Sequence, residues 1–220
     1  MESLFSKIYD FEYILYMLRY LNRSNLFFMT YLKNFKPFSI LKQTELSILD
    51  NLTKKKEYKK GTTILEKGQL AQNIIFLNSG IVSSVYFKTA KKFIRDFYFS
   101  PHIFTEQESF VKHIPAKFSI VCVTNISCQL ISKNDLENAY ARIPGLKEIA
   151  NDLLFNGFVN ISNRLESLLT LNPEERYLKL LNESPKFLHE IPLKMIASYL
   201  GVTDVALSRI RKRISKSRRN

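Results

Sequence analysis

Residues 191–214, IPLKMIASYLGVTDVALSRIRKRI, place small, glycine and aliphatic residues at the spacing that two helices crossing over a tight turn require. Ala197 is small where the first helix must touch the second. Gly201 follows where the chain must turn left-handed, and Leu207 comes next to fill the joint. Ile196, Leu200, Val202 and Ile210 supply the remaining buried positions, and Thr203 suits the N-cap of the second helix. The side chains left outside are Asp204, Val205, Ser208, Arg209, Arg211 and Lys212. Their chemistry is groove reading. Arg209 offers the planar fork that matches guanine O6 and N7. Ser208 and Thr203 can donate to a phosphate or a base edge. Lys194, Arg213, Lys216, Arg218 and Arg219 suit phosphates, which give affinity without sequence information.

The charge distribution agrees. The chain has 220 residues with 33 Lys+Arg against 20 Asp+Glu, a net +13. From Lys194 to Asn220 there are eight Lys/Arg and one acid, Asp204, so +7 of the total lies in this short segment. A basic helix end is ordinarily just solvated and favoured by the helix dipole. Here it follows a complete helix-turn-helix spacing, which points to double-stranded DNA as the partner. The other reading is a ligand-binding or membrane-surface module whose IRKRISKSRR tail meets anionic lipid, but lipid has no need of Ala197 and Gly201.

Elsewhere reactive constellations are sparse. Cys122 and Cys128 are the only cysteines, too few for a disulfide scaffold, a zinc site or an iron–sulfur cluster. They read as small buried hydrophobes, with a redox pair as the alternative. His102, His113 and His189 show no metal spacing. No glycine-rich phosphate loop, nucleophile motif or partnered acid–base pair is present, so neither an enzyme nor a resident cofactor is expected.

The elements that must position the basic helix can be read from periodicity. With 45% hydrophobic residues, 17 Phe and 11 Tyr, a real core is available. Residues 44–52 suggest a short helix capped by Thr44. Six short apolar or β-branched runs follow, at 62–65, 74–77, 81–87, 93–99, 119–123 and 126–131. Turns separate them at Lys60-Gly61, Lys67-Gly68, Asn78-Ser79-Gly80 and 88–91, which implies an antiparallel sandwich or roll. After Ser132, the expected cap of a helix over 133–142, the period becomes helical. Pro144 should open a long helix to about Leu171, and Pro173 another to about Ser184. Along the long helix Leu154, Phe158, Ile161, Leu165 and Leu168 form a seam of alternating steps of four and three. It can pack on this chain's own roll or on a second copy.

The N-terminal stretch is aromatic and apolar, but Lys7, Asp10, Glu12, Arg19 and Arg23 interrupt it. No run approaches the roughly 18–20 residues of a membrane span, and no signal-peptide pattern follows, so a cytoplasmic protein is expected. Residues 1–28 are either a helical extension or the product of a start placed upstream of Met29.

From about Met29 to Ile214 the chain resembles the cyclic-AMP-receptor (Crp/Fnr) family of bacterial transcription regulators. The resemblance is carried by KKGTTILEKGQLAQNIIFLNSGIV (59–82), NPEERYLKLL (172–181) and the helix-turn-helix segment, the last two being most similar to a Bacteroidetes-like subgroup. It implies an α+β architecture: a cyclic-nucleotide-binding-type β-roll (jelly roll) over residues 29–143, a dimerisation helix over 144–171, and a C-terminal winged helix-turn-helix over 172–220. It also implies a homodimer, a pseudo-palindromic operator and RNA polymerase as a further partner. In relatives that bind cyclic AMP, a Gly-Glu pair and an Arg some ten residues later hold the ribose and phosphate. Here the corresponding stretch is FTEQESFVKHIPAKFSI (104–120), where Thr105 replaces the Gly, Glu106 is kept and Lys117 falls near the Arg position. A lysine provides charge but no planar fork. Thr105, Glu106 and Lys117 therefore outline an effector pocket that argues against cyclic AMP as its ligand. Val205 stands where relatives often carry Glu, which exchanges a cytosine acceptor for a thymine-methyl contact and implies a different half-site.

Overall fold

The computed structural model describes residues 35–88 and 91–217. The 1–28 extension, Arg218 and Arg219 lie outside the described residues.

A short 3-10 turn, Lys36–Phe38, precedes helix α1 (Gln43–Asn51). Strands β1 (Lys54–Tyr58), β2 (Thr63–Leu65), β3 (Asn73–Ser79), β4 (Ile81–Lys88), β5 (Lys91–Phe99) and β6 (His102–Phe104) come next. Helix α2 (Gln107–Lys112) separates them from β7 (Ser119–Cys122) and β8 (Ile126–Ser132). The rest is helical: α3 (Lys133–Arg142), α4 (Leu146–Thr170), α5 (Pro173–Glu183), α6 (Pro185–Glu190), α7 (Leu193–Leu200) and α8 (Asp204–Ser217). The strands form two four-stranded antiparallel sheets, β1-β8-β3-β6 and β2-β7-β4-β5.

Three cores follow from side-chain alternation. Ile75, Leu77 and Cys128 of the first sheet meet Val82, Ile120 and Cys122 of the second inside the roll. The back of the first sheet, Phe76 and Ile131, is covered by Leu46 and Leu49 of α1, Ala139 of α3 and Ile149 of α4. The back of the second, Ile81, Val85, Ile94 and Phe97, is covered by Tyr177, Phe187, Ile196, Leu200 and Leu207 of the C-terminal helices. Each sheet is thus buried on both faces over part of its area, which is why its strands read as apolar runs rather than clean alternations.

The chain crosses between sheets at Gly80 and again at Val123–Asn125, and the two crossings pack on each other. Gly80 has φ +89°, the Ile81 N–H donates to Thr124 Oγ1 at 2.9 Å, and the Ser100 N–H donates to the Gly80 carbonyl at 3.1 Å. A Cβ on Gly80 would overlap the Asn125 carbonyl oxygen and lie 2.7 Å from Thr124 Oγ1.

Several local expectations are corrected. The α1 N-cap is Lys42, not Thr44, because the Glu45 carboxylate reaches back to accept the Lys42 N–H at 2.7 Å. The long helix begins at Leu146 with Gly145 as N-cap, two residues beyond Pro144. Asn78 and Ser79 belong to β3, with only Gly80 between β3 and β4. The elements β1, β6, α2 and α6 were not anticipated. KKKEY carries no apolar alternation and forms β1 because it pairs along β8 as an exposed outer strand, where lysines also discourage further strand addition. The wing implied by resemblance is not formed among the described residues: no strand follows Ser132, and only Ile191 and Pro192 join α6 to α7. Ser132 does cap α3, accepting the Asp135 N–H at 3.2 Å.

Both cysteines are buried free thiols. Burial pushes Cys122 up to about 11, and burial with the neighbouring Cys122 pushes Cys128 up to about 12. Since the thiolate is the reactive form, Ellman's reagent at pH 8 should find neither thiol in the native chain and two in urea; rapid native labelling would show that the roll interior is open. Urea titration should show Gly80→Ala destabilised by roughly 3 kcal/mol or more through positive φ and overlap. Gly61→Ala, at φ +84° with open space around it, should lose only about 1 kcal/mol; equal losses would refute the crossing's close packing.

Candidate nucleic-acid interface and sensor pocket

The helix-turn-helix closes through local hydrogen bonds. Gly201 ends α7 in the left-handed region at φ 72°, its N–H donating to the Ser198 carbonyl at 3.2 Å, and the Val202 N–H reaches the Ala197 carbonyl at 3.0 Å. Thr203 Oγ1 accepts the Ala206 N–H at 3.2 Å, starting α8 as an N-cap does. Ala197, Leu207 and Ile210 are buried, while Val202 is half-buried. With these positions inward, one turn-to-turn row of α8 carries Val205, Ser208, Arg209, Lys212 and Lys216, all exposed. Asp204 and Arg211 flank it on one side and Arg213 on the other. Thr203 and Lys194 are also exposed. Arg213 is engaged: its Nη2 lies 2.8 Å from Glu174 Oε2 at the start of α5.

Arg176 escaped the sequence reading. Its Nε donates to the Leu200 carbonyl at 3.1 Å and its Nη1 to the Leu171 carbonyl at 2.6 Å. One side chain therefore satisfies orphan carbonyls at the ends of α7 and α4. The Asn172–Glu175 capping box turns α5 away from α4 and fixes where Arg176 starts. Nothing in the periodicity marks this residue, since its partners are backbone oxygens.

The α4 seam does not pack on this chain's roll. Leu154, Phe158, Ile161, Leu165 and Leu168 are 60%, 67%, 50%, 56% and 41% exposed, and Phe155 and Leu169 beside them are exposed as well. Only Leu146 and Ile149, at the start of α4, are buried. The result is an apolar stripe with no covering element among the described residues.

The residues expected to outline an effector pocket are tied into their own loop. Thr105 Oγ1 donates to the Asn73 carbonyl at 2.8 Å, and Glu106 caps α2 by accepting the Ser109 N–H at 2.6 Å. Both are buried. Lys117 is exposed and ion-paired with Glu108, which also holds Lys112 at 3.2 Å. These two lysines keep the Glu108 carboxyl below the usual range, and Glu108 in turn raises the Lys117 ammonium. The three expected residues therefore neighbour one another along the loop but do not converge on a common point. A second cation was missed. Arg95 is the extra residue of a bulge between Asp96 and Ile94. Its guanidinium lies 4.8 Å from the centre of the Phe118 ring, and its Nη1 donates to the Tyr98 hydroxyl at 3.3 Å. Bulges leave no signature in residue spacing.

Among the described residues no group of His, Cys, Asp and Glu is arranged to hold a metal ion. His102 is half-buried and stacked 5.1 Å from Tyr98, and desolvation pulls its imidazole down to about 4. His113 ends α2 in the left-handed region, and His189 lies in α6. No described helix is long and apolar enough to cross a membrane.

Residues 55–142 match the cyclic nucleotide-binding domain family. Solved structures share the wider fold. A protein assigned to the Crp/Fnr transcriptional regulators from Eubacterium rectale is similar at 14% identity, covering 83% of this chain and 88% of that chain with a TM-score of 0.66. FixK2 from Bradyrhizobium japonicum is similar at 16% identity over 75% of this chain and 85% of that one, with a TM-score of 0.65. The c-di-GMP-responsive global regulator CLP from Xanthomonas campestris is similar at 16% identity over 80% and 93%, with a TM-score of 0.61. No curated protein matches in sequence.

Proposed function

Starting from a chain with a cyclic nucleotide-binding domain and the fold of the Crp/Fnr regulators, we propose that it is a sequence-specific DNA-binding transcription regulator that acts as a homodimer. The observation that carries this reading is the row Val205, Ser208, Arg209, Lys212 on α8. It is exposed, while Ile196, Ala197, Leu200, Leu207 and Ile210 of the helix-turn-helix beneath it are buried. Arg209 reads a guanine and Val205 meets a thymine methyl. Lys194, Lys216 and, in exchange for Glu174, Arg213 contact phosphates.

Dimerisation uses the α4 stripe. Its width and its alternating steps of four and three suit a two-stranded helical seam. It would set the two recognition helices one turn of DNA, about 34 Å, apart on a pseudo-palindrome. The roll, residues 29–143, senses a ligand other than cyclic AMP. In support, Thr105 and Glu106 are committed to Asn73 and Ser109, and Lys117 to Glu108. CLP, with a similar fold, is described as responsive to c-di-GMP, so the architecture serves more than one ligand. RNA polymerase as a further partner rests on the resemblance alone.

Selection of bound fragments from random DNA, with and without cyclic AMP, should enrich one palindrome equally in both arms; no enriched palindrome would overturn the reading. On that palindrome, Arg209→Ala should lose roughly 1–3 kcal/mol per half-site while non-specific binding stays unchanged. Lys216→Ala should weaken all sequences alike and flatten the salt dependence. Phe158→Glu should sediment as a monomer and lose the palindrome; a persistent dimer would place the interface elsewhere.

A further inference from the structure

Among the described residues strand β5 pairs with β4 on one side only, so its other side is a sheet edge with no neighbouring strand. A single side chain of the helix-turn-helix closes part of it. Ser198 Oγ, in the middle of α7, accepts the Ile94 N–H at 3.0 Å and donates to the Lys92 carbonyl at 3.1 Å. One hydroxyl thus makes both the bond a neighbouring strand would accept and the bond it would donate. The next residue makes a second attachment to a different element. Arg164 of α4 lies 3.7 Å over the centre of the Tyr199 ring, and its Nη2 donates to the Tyr199 carbonyl at 2.8 Å. The ring then meets Phe97 of β5 at 5.6 Å and Phe187 of α6 at 5.2 Å. Phe187 closes the cluster on Phe97 at 4.9 Å and Phe99 at 5.1 Å.

Two consecutive residues of α7 therefore fix the helix-turn-helix to both the roll and the long helix. The contacts are directional: hydrogen bonds, a planar stack and edge-on ring contacts hold an orientation, where aliphatic packing alone would permit sliding. None of these residues belongs to the α8 row Val205, Ser208, Arg209, Lys212, which stays exposed in the docked arrangement. The joint leaves the reading face free.

Resting on the DNA-binding reading above, we propose that Ser198 and Arg164 are positioning residues that hold the recognition helix in its DNA-reading orientation. A loosened helix-turn-helix can still read one half-site. Two of them must also keep their separation, so loosening reduces the fraction of dimers competent for a palindrome. The residues therefore act on the coupling between half-sites and not on base choice.

The test compares Ser198→Ala, Ser198→Thr and Arg164→Lys with the wild type. Each is measured by fluorescence anisotropy on the selected palindrome, on a single half-site and on random DNA, and by hydrogen exchange at the Ile94 amide without DNA. Ser198→Ala and Arg164→Lys should weaken palindrome binding about tenfold, with half-site binding and base preference unchanged. Ser198→Thr, which keeps the hydroxyl, should restore it. The Ile94 amide should exchange faster in Ser198→Ala only. Unchanged palindrome binding, equal loss on half-site and palindrome, or unaltered Ile94 protection in Ser198→Ala would each overturn the positioning role. Tighter binding by Ser198→Ala would also overturn it, because the joint would then restrain the domain. A wild-type chain that binds no DNA would overturn the functional reading itself, a result distinct from any of these.

Discussion

The structure depends on one constraint: the C-terminal helices cannot close a core by themselves. A helical unit the size of Pro173–Ser217 is at the margin of what can bury enough apolar surface alone. Tyr177, Phe187, Ile196, Leu200 and Leu207 therefore share their core with Ile81, Val85, Ile94 and Phe97 of the roll. The roll needs this cover equally, since the back of β4 and β5 would otherwise be an exposed apolar sheet face with an open edge. The roll and the C-terminal helices are thereby bound by mutual burial, and any motion of one is felt at the other's core.

Strand β5 is where the shared core and the roll interior meet. Ile94 and Phe97 belong to the shared core, whereas Tyr98 lies in the roll interior against Phe104, ring centres 4.6 Å apart. Asp96, between Ile94 and Phe97 in the strand, is half-buried. Desolvation raises its carboxyl, and the Phe97 N–H, Arg164 and Arg95 partly counter that. One strand thus touches the roll interior and the first helix of the helix-turn-helix, and through Tyr199 it neighbours Arg164 of the long helix. A ligand with differential affinity for two positions of β5 would bias the orientation of α8 by that differential and no more. The exposed stripe of α4 begins beyond the helix's buried first turn and runs past Arg164, so it lies beside the same joint.

Much of this was legible in residue types. The helix-turn-helix was read at each structural position because its rules are local: a small contact residue, a left-handed glycine, a capping threonine. Six of the eight strands and most helix ends followed from apolar period and turn chemistry. The failures were of another kind. The lysine-rich β1 has no strand signature and exists because β8 offers it a partner. Thr44 lost its capping role to a backbone–Glu45 bond of equal range. For Thr105, Glu106 and Lys117, spacing could not reveal that Asn73, Ser109 and Glu108 engage them.

The sequence by itself determined the order of elements, the basic row on α8 and the apolar row on α4, because helical and strand periods and turn preferences act over a few residues. Only the tertiary structure decided which apolar rows stay exposed and which are shared. It alone put Ser198 on an edge more than a hundred positions away in sequence, Arg176 on two helix ends and Arg95 over Phe118. Those pairings are long-range, and backbone carbonyls and amides, which every residue carries, supply most of the partners. Residue identity therefore held no record of them until the chain had folded.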